Sequence, residues 1–235
     1  MRFAAALYYN AAAYGERQIM KIGVFGGTFN PIHNGHIYLC ERFIGSLRLD
    51  KVLLIPAYIP PHKNAQMLAR GEHRLNMCRL AVQDNPKFEA SGIELKRKGK
   101  SYTYQTLQQL KKLYPKDELY LIMGSDMFLT VQDWVNPNII FSLAAICTSA
   151  RLQNEYEMLI EHKKILQRLG AQCVVENFDA IELSSTAVRQ LIINGGDAGG
   201  LIPQSVLKYI EKNKLYKKLL KYCRKIKFQR QKEGI

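Results

Sequence analysis

The sequence predicts a doubly wound α/β domain with a small helical C-terminal portion. Three observations carry that prediction. Short apolar runs of strand length alternate with longer stretches of helical periodicity. The first apolar run ends in a Gly-Gly turn, and the hydrophobic content of 47% belongs to a folded globular chain. Strands that alternate with helices build a mostly parallel sheet covered on both faces.

The first strand is read at Lys21 to Phe25 (KIGVF), followed by a helix over 35–46 whose apolar residues include Ile37, Leu39, Cys40, Phe43 and Ile44. Lys51 to Ile55 (KVLLI) is the second strand, ended by Pro56. Residues 56–71 hold three prolines and read as a long loop of the kind that carries function or moves. A helix over 72–83, a strand over 88–90, a helix over 103–113 and a strand over 119–123 follow. Next come a strand over 143–148, a helix over 155–169 and a short strand over 173–175. Helices over 186–194 and 204–222 close the order, which is Rossmann-like. No internal repeat or linker divides residues 20–217.

Composition narrows the function classes. No apolar run reaches the roughly 20 residues that span a bilayer. The five cysteines (Cys40, Cys78, Cys147, Cys173, Cys223) are scattered and form no Cys-x-x-Cys pair. That pattern fits neither a zinc knuckle nor a disulfide framework, and it suits a reducing, cytoplasmic setting. Residues 1–19 are expected to be an extension upstream of a functional start at Met20. Their alanine-rich run is broken by Asn10 and makes a poor signal peptide. Net charge is +14, and eleven Lys/Arg against two Glu place +9 of it in residues 208–235. The stretch 218–235 is therefore read as a basic tail. A solvated helix end is its ordinary explanation, and nucleic-acid binding is the alternative from a different functional class. Removing the tail while measuring nucleic-acid affinity separates the two.

The chemistry concentrates in Gly26-Gly27-Thr28-Phe29-Asn30-Pro31-Ile32-His33-Asn34-Gly35-His36. In doubly wound folds ligands sit beyond the carboxyl ends of the strands, and the glycines after the first strand let backbone approach a ligand closely. His33 and His36, spaced i, i+3 at a helix start, share one face where free N–H groups and positive potential favour phosphate. Neither Gly-x-Gly-x-x-Gly nor a P-loop Lys-Ser/Thr pair is present. No third residue of metal spacing joins the histidines, so no protein metal site is expected. Far along the chain, Ser184 to Thr186 can cap a second helix, with Arg189 one turn on as a bidentate phosphate ligand.

The string GGTFNPIHNGH resembles the signature of the nucleotidylyltransferase superfamily, whose core is His-x-Gly-His after a first strand. Leu183-Ser184-Ser185-Thr186-Ala187-Val188-Arg189 is similar to its Ile-Ser-Ser-Thr-x-x-Arg motif. Further matches (Ile59 to Pro61 with His62-Lys63, Lys100-Ser101-Tyr102-Thr103, Met123-Gly124-Ser125-Asp126, Trp134, Leu201-Ile202-Pro203) lie in the order of bacterial nicotinate-nucleotide adenylyltransferases, over about residues 21–217.

The resemblance implies adenylyl transfer from ATP to nicotinate mononucleotide, giving deamido-NAD and pyrophosphate without a covalent enzyme intermediate. It implies His33, His36, Lys63 and Arg189 as catalytic groups. ATP contacts would include Gly26, Gly27, Thr28, Gly124, Ser184, Ser185 and Thr186. The mononucleotide would meet Thr28, Asn30, Lys63, Thr103, Asp126 and Trp134, with the tryptophan stacked on the pyridine ring. Mg²⁺ would accompany ATP, held more by phosphates than by protein. Nicotinamide mononucleotide remains the neighbouring substrate alternative, and a homo-oligomer is left open. This chain departs from the family at Asn30, where aspartate is common, and at Leu183. Ser149-Ala150-Arg151 replaces the frequent Arg-Pro-Gly, which leaves the adenine-side contacts open.

Overall fold

The computed structural model describes residues 18–60, 68–150, 155–179 and 181–216. The expected extension before Met20, the basic tail, Lys63 and Arg151 therefore lie wholly or almost wholly outside the described residues. Six strands are present: β1 (Lys21–Gly27), β2 (Lys51–Pro56), β3 (Phe88–Ala90), β4 (Glu118–Ile122), β5 (Ala145–Ser149) and β6 (Cys173–Glu176). They form one sheet in the order β3-β2-β1-β4-β5-β6, with every neighbouring pair parallel. The doubly wound prediction holds. The order reverses between β1 and β4, which makes the gap beyond their carboxyl ends the natural ligand crevice.

Side chains alternate across these strands and supply two cores. Phe25, Val52, Leu54, Ile122 and Cys147 point to one face, while Ile22, Val24, Leu53, Ile55, Leu119, Leu121 and Ile146 point to the other. The first face is covered by α1 (Asn34–Leu47), α2 (Gly71–Val82), α8 (Ser185–Ile193) and α9 (Gln204–Lys212). The second is covered by helices from the middle of the chain. These are α4 (Thr103–Leu113), α5 (Ser125–Phe128), α6 (Pro137–Leu143) and α7 (Glu155–Arg168), with the short α3 (Ile93–Arg97) beside them. Gly23 must be small in this arrangement, because a Cβ there would stand 2.9 Å from Val52 Cγ2 and 3.0 Å from Leu49 Cδ1.

Two boundaries differ from the sequence reading. The strand expected over 143–148 is two structures: α6 ends at Leu143 and β5 begins at Ala145. Pro137 at the first helical position starts α6, and Ile140 and Phe141 bury one side of it. A continuous apolar run hides such a junction, because periodicity over a few residues does not separate helix from buried strand. The last helix, expected to reach Tyr222, stops at Lys212. Asn213 follows as its cap, and Lys214 and Tyr216 adopt positive φ values of 53° and 66°. The short elements α3 and α5 and a 3₁₀ turn at Val131–Asp133 were not anticipated.

Candidate active site

Beyond the carboxyl ends of β1 and β4 lie two adjoining cavities of about 400 Å³ and about 320 Å³. Phe25, Thr28, His36, Pro60, Gly124, Asp126 and Ser185 line both, so the cavities meet at the first motif.

The first cavity contains the histidines. His33 caps α1 in an extended conformation and is 5% exposed, while His36 stands three residues on in the first turn. Their rings stack with centroids 3.5 Å apart. The His33 N–H donates to His36 Nδ1 at 3.1 Å. An accepting Nδ1 puts the proton of a neutral His36 on Nε2. Phe29 sits edge-on to both Phe25 and His36, its backbone in the left-handed region at φ 46°, and it is almost fully buried. Tight packing holds that uncommon conformation in place. Gly35 is equally constrained, since a Cβ would approach Ile181 O to 3.3 Å and His33 Nδ1 to 3.2 Å. The glycine of the His-x-Gly-His core thus keeps the turn from colliding with the chain that closes the cavity.

The second motif locks onto the first. Ser184 caps α8 and accepts from the Ala187 N–H at 3.1 Å. Ser185 Oγ donates to Pro31 O at 2.9 Å, and Arg189 Nη1 donates to Asn30 O at 2.7 Å. Arg189 Nη2 reaches Thr186 Oγ1 at 3.2 Å, while Nε is buried with no partner among the described residues. Two segments more than 150 positions apart are therefore joined by direct hydrogen bonds. Much of Arg189 thus holds the Asn30-Pro31 turn, a cis peptide.

Asn30, expected at the mononucleotide, lines the first cavity and not the second. Its Oδ1 accepts from the Ala69 N–H (3.1 Å) and from the Tyr216 hydroxyl (3.0 Å). Burial pushes the Tyr216 phenol well above its ordinary pKa, so it remains a donor. An amide whose oxygen serves two internal donors acts as a latch, and this explains why asparagine suits the position.

The second cavity gathers Gly26, Gly27, Thr103 and Trp134. The two glycines were expected on the ATP side, but among these cavities they line only this one. Gly26 is exposed, and an added Cβ there would meet nothing within 4 Å, so a side chain would enter the cavity. Thr103 opens α4, whose N-terminus carries no acidic residue in its first turn and so favours a carboxylate. Trp134 is half-buried among apolar neighbours that include Val135 and Ile140. Asp126 is the second residue of α5, while Gly124 takes the N-cap position, so Asp126 is not that helix's N-cap. It lines both cavities, as does Gly124.

Some lining residues were missed by sequence reasoning. Phe178, Asp179 and Ile181 close the far end of the first cavity beside Ser149 and Ala150, with the Phe178 N–H donating to Ser149 Oγ at 3.0 Å. Glu94 and Thr106 line the second, with Thr106 Oγ1 donating to Glu94 Oε1 at 2.6 Å. Only the Ser149-Ala150 departure hinted at the first group. Nothing local marks Glu94.

This geometry defines an α/β nucleotidyltransferase: a histidine-capped helix at the switch point of a parallel sheet, clamped by a distant Ser-Ser-Thr-x-x-Arg helix. Residues 24–191 match the cytidylyltransferase-like family. Two bacterial relatives, both named probable nicotinate-nucleotide adenylyltransferase, align along almost their whole length. The one from Clostridium tetani is 34% identical over 84% of this chain and 99% of its own. The one from Carboxydothermus hydrogenoformans is 38% identical over 84% and 98%. The chain belongs to the cytidylyltransferase-like family and, within it, to the nicotinate-nucleotide adenylyltransferases. Among solved structures, Plasmodium falciparum nicotinic acid mononucleotide adenylyltransferase complexed with NaAD has the same fold. It superposes with a TM-score of 0.68 at 19% identity, over 84% of this chain and 97% of its own.

Proposed function

We infer that the protein transfers the adenylyl group of ATP to nicotinate mononucleotide, giving deamido-NAD and pyrophosphate. The observation that carries this reading is the junction of the two cavities at Thr28, His36 and Ser185. On this reading one cavity takes the phosphates and the other the aromatic acid, and a group can pass between ligands only where the two share a wall.

In the reaction a 5′-phosphate oxygen of the mononucleotide attacks the α-phosphorus of ATP. The new O–P bond forms as the bond to the bridging oxygen breaks, and pyrophosphate leaves with the electron pair. No side chain is covalently engaged, so the protein contributes alignment and charge stabilisation. His36, the α1 N-terminus and the Arg189 guanidinium are the groups this reading assigns to the phosphate oxygens. Lys63 retains the phosphate role that the resemblance assigns it. At the other end, the α4 N-terminus at Thr103 receives the carboxylate, Trp134 stacks on the pyridine ring, and Asp126 accepts from ribose hydroxyls.

Mg²⁺ enters as the partner of ATP and neutralises its phosphates. Among the described residues no three His, Cys, Asp or Glu side chains converge. This reading has the cation held more by phosphate oxygens and water than by protein. A cytoplasmic location is supported by the free cysteines at 40, 78, 147 and 173 among the described residues. No helix among the described residues is long and apolar enough to cross a membrane.

Pyrophosphate release measured with ATP, Mg²⁺ and either pyridine mononucleotide tests the assignment. Turnover is expected with the nicotinate form and strongly reduced turnover with the nicotinamide form. Silence with both would overturn the reading, and equal rates would remove the carboxylate from it.

A further inference from the structure

Arg74 is among the largest fully buried side chains, at 1% exposure, and no carboxylate lies within ion-pair distance among the described residues. A buried guanidinium without a paired acid is costly unless its donors are well used. All of its hydrogen-bond acceptors are main-chain oxygens, drawn from three segments. Nη1 donates to Thr28 O at 2.8 Å, Nε to Ala69 O at 2.9 Å and Nη2 to Tyr58 O at 3.4 Å. Thr28 is one of the residues that line both cavities, and Tyr58 begins the segment that leads to Pro60, another of them. Ala69 lies on the far side of the same loop, and its N–H donates to Asn30 Oδ1.

The Tyr58 peptide is held from its other side as well. Its N–H donates to Ser101 Oγ at 2.8 Å, and Ser101 lines the acceptor cavity together with the buried acid Glu94. Ser101 N–H closes the segment by donating to Ile59 O at 3.0 Å. A single guanidinium thus spans the phosphate turn after β1 and the loop after β2, and that loop is tied to the start of α4. Burial lowers the Arg74 pKa, opposed by nearby Cys78, Tyr216 and Glu94.

We propose that Arg74 is a positioning residue for adenylyl transfer, fixing the phosphate cavity and the acceptor cavity in register through Thr28, Tyr58 and Ala69. It acts through backbone carbonyls and touches neither substrate, and the proposal rests on the two-substrate reading of the site. Each half-site can bind its own ligand without this brace. In-line attack needs both ligands aligned to a fraction of an ångström, so register affects turnover more than affinity.

Arg74→Lys and Arg74→Met test this in the full chain, beside the unaltered protein as the control for the assigned reaction. Lysine keeps the charge but cannot reach three carbonyls in a fixed fork, while methionine keeps bulk alone. Binding of α,β-methylene-ATP alone and of nicotinate mononucleotide alone is measured by calorimetry, together with kcat and thermal melting. The expected result is a folded Lys variant whose two single-ligand Kd values move less than about 3-fold while kcat falls about 10- to 100-fold. A kcat loss matched by equal losses of both affinities, unchanged kcat, or failure of both variants to fold would each overturn the proposal by leaving Arg74 a role in the fold alone. If the unaltered protein itself released no pyrophosphate, the assigned reaction would be at fault, a result distinct from any of these.

Discussion

The two cavities are held by different means. The phosphate side is a polar clamp: Ser185 to Pro31, Arg189 to Asn30, Tyr216 to Asn30 and His33 to His36 are direct hydrogen bonds of 2.7–3.1 Å. The acceptor side is shaped mainly by apolar walls, Val24, Leu107, Leu121, Val135 and Ile140 around Trp134, with polar groups at Thr103 and along Glu94, Ser101 and Thr106. A clamp of this kind suits the step that must be the same in every turnover, since charge developing on phosphate needs donors already in place. Apolar walls with one helix N-terminus suit the choice of acceptor, where shape and a single carboxylate decide.

If the phosphate side governs chemistry, His36→Ala is the most damaging of the substitutions argued in this Discussion. It removes the Nε2 donor and the acceptor for the His33 N–H together. Loss of a preorganised donor to a transition-state oxyanion typically costs about 100- to 1,000-fold in kcat. That loss is expected with melting temperature nearly preserved, because His36 is only half-buried. Steady-state pyrophosphate release measures it. A variant retaining full kcat would move the chemistry away from this helix.

Trp134→Ala probes the other side and should show the opposite signature. The ring is half-buried and belongs to the wall of the acceptor cavity but not of the first. Removing a stacking platform costs about 0.5–1.5 kcal/mol beyond area burial, so KM for the mononucleotide is expected to rise about 10-fold. KM for ATP should stay near its original value. If both constants rose together, the division of labour between the cavities would have to be abandoned.

The same contrast explains what was legible in the sequence. The strands, their alternation and the phosphate cradle could be read because each is local: an apolar run before Gly26-Gly27, two histidines one turn apart, a Ser-Ser-Thr cap before Arg189. What the motifs do to each other was not legible. Nothing around Ser185 or Arg189 announces that they grip the carbonyls of Pro31 and Asn30. The motif that makes Asn30 an expected ligand contact does not announce that its oxygen serves Ala69 and Tyr216. Gly26 and Gly27, expected at the phosphates, line the second of two adjoining cavities, and a Gly-Gly turn carries no mark of which one it will face. The junction at Leu143 failed for a different reason, since an apolar run carries no mark where a helix hands over to a strand. Long-range partners are fixed by the sheet order, and a one-dimensional pattern does not encode them residue by residue.

The smallest effect concerns Glu94, the acid behind the acceptor cavity. Burial raises its pKa, opposed by hydrogen bonds from Thr106 and Ser101 and by the charges of Arg97 and Arg74. The folded state therefore holds the Glu94 proton more tightly than the unfolded chain does. Its contribution to stability is fully present below the ordinary carboxylate pKa and is lost as pH rises through the raised folded value. Glu94→Gln keeps an oxygen that can accept from Thr106 and Ser101 and carries no charge to desolvate. Melting of the variant should accordingly gain on the unaltered protein as pH rises from about 4 toward neutrality, by about 1 kcal/mol or less, or about 2–4 °C in Tm per kcal/mol. A variant that instead lost ground over that window would mean the Thr106, Ser101 and arginine contacts outweigh burial. The acceptor side would then be an electrostatic clamp like its neighbour, and the difference between the two cavities would narrow to their apolar walls.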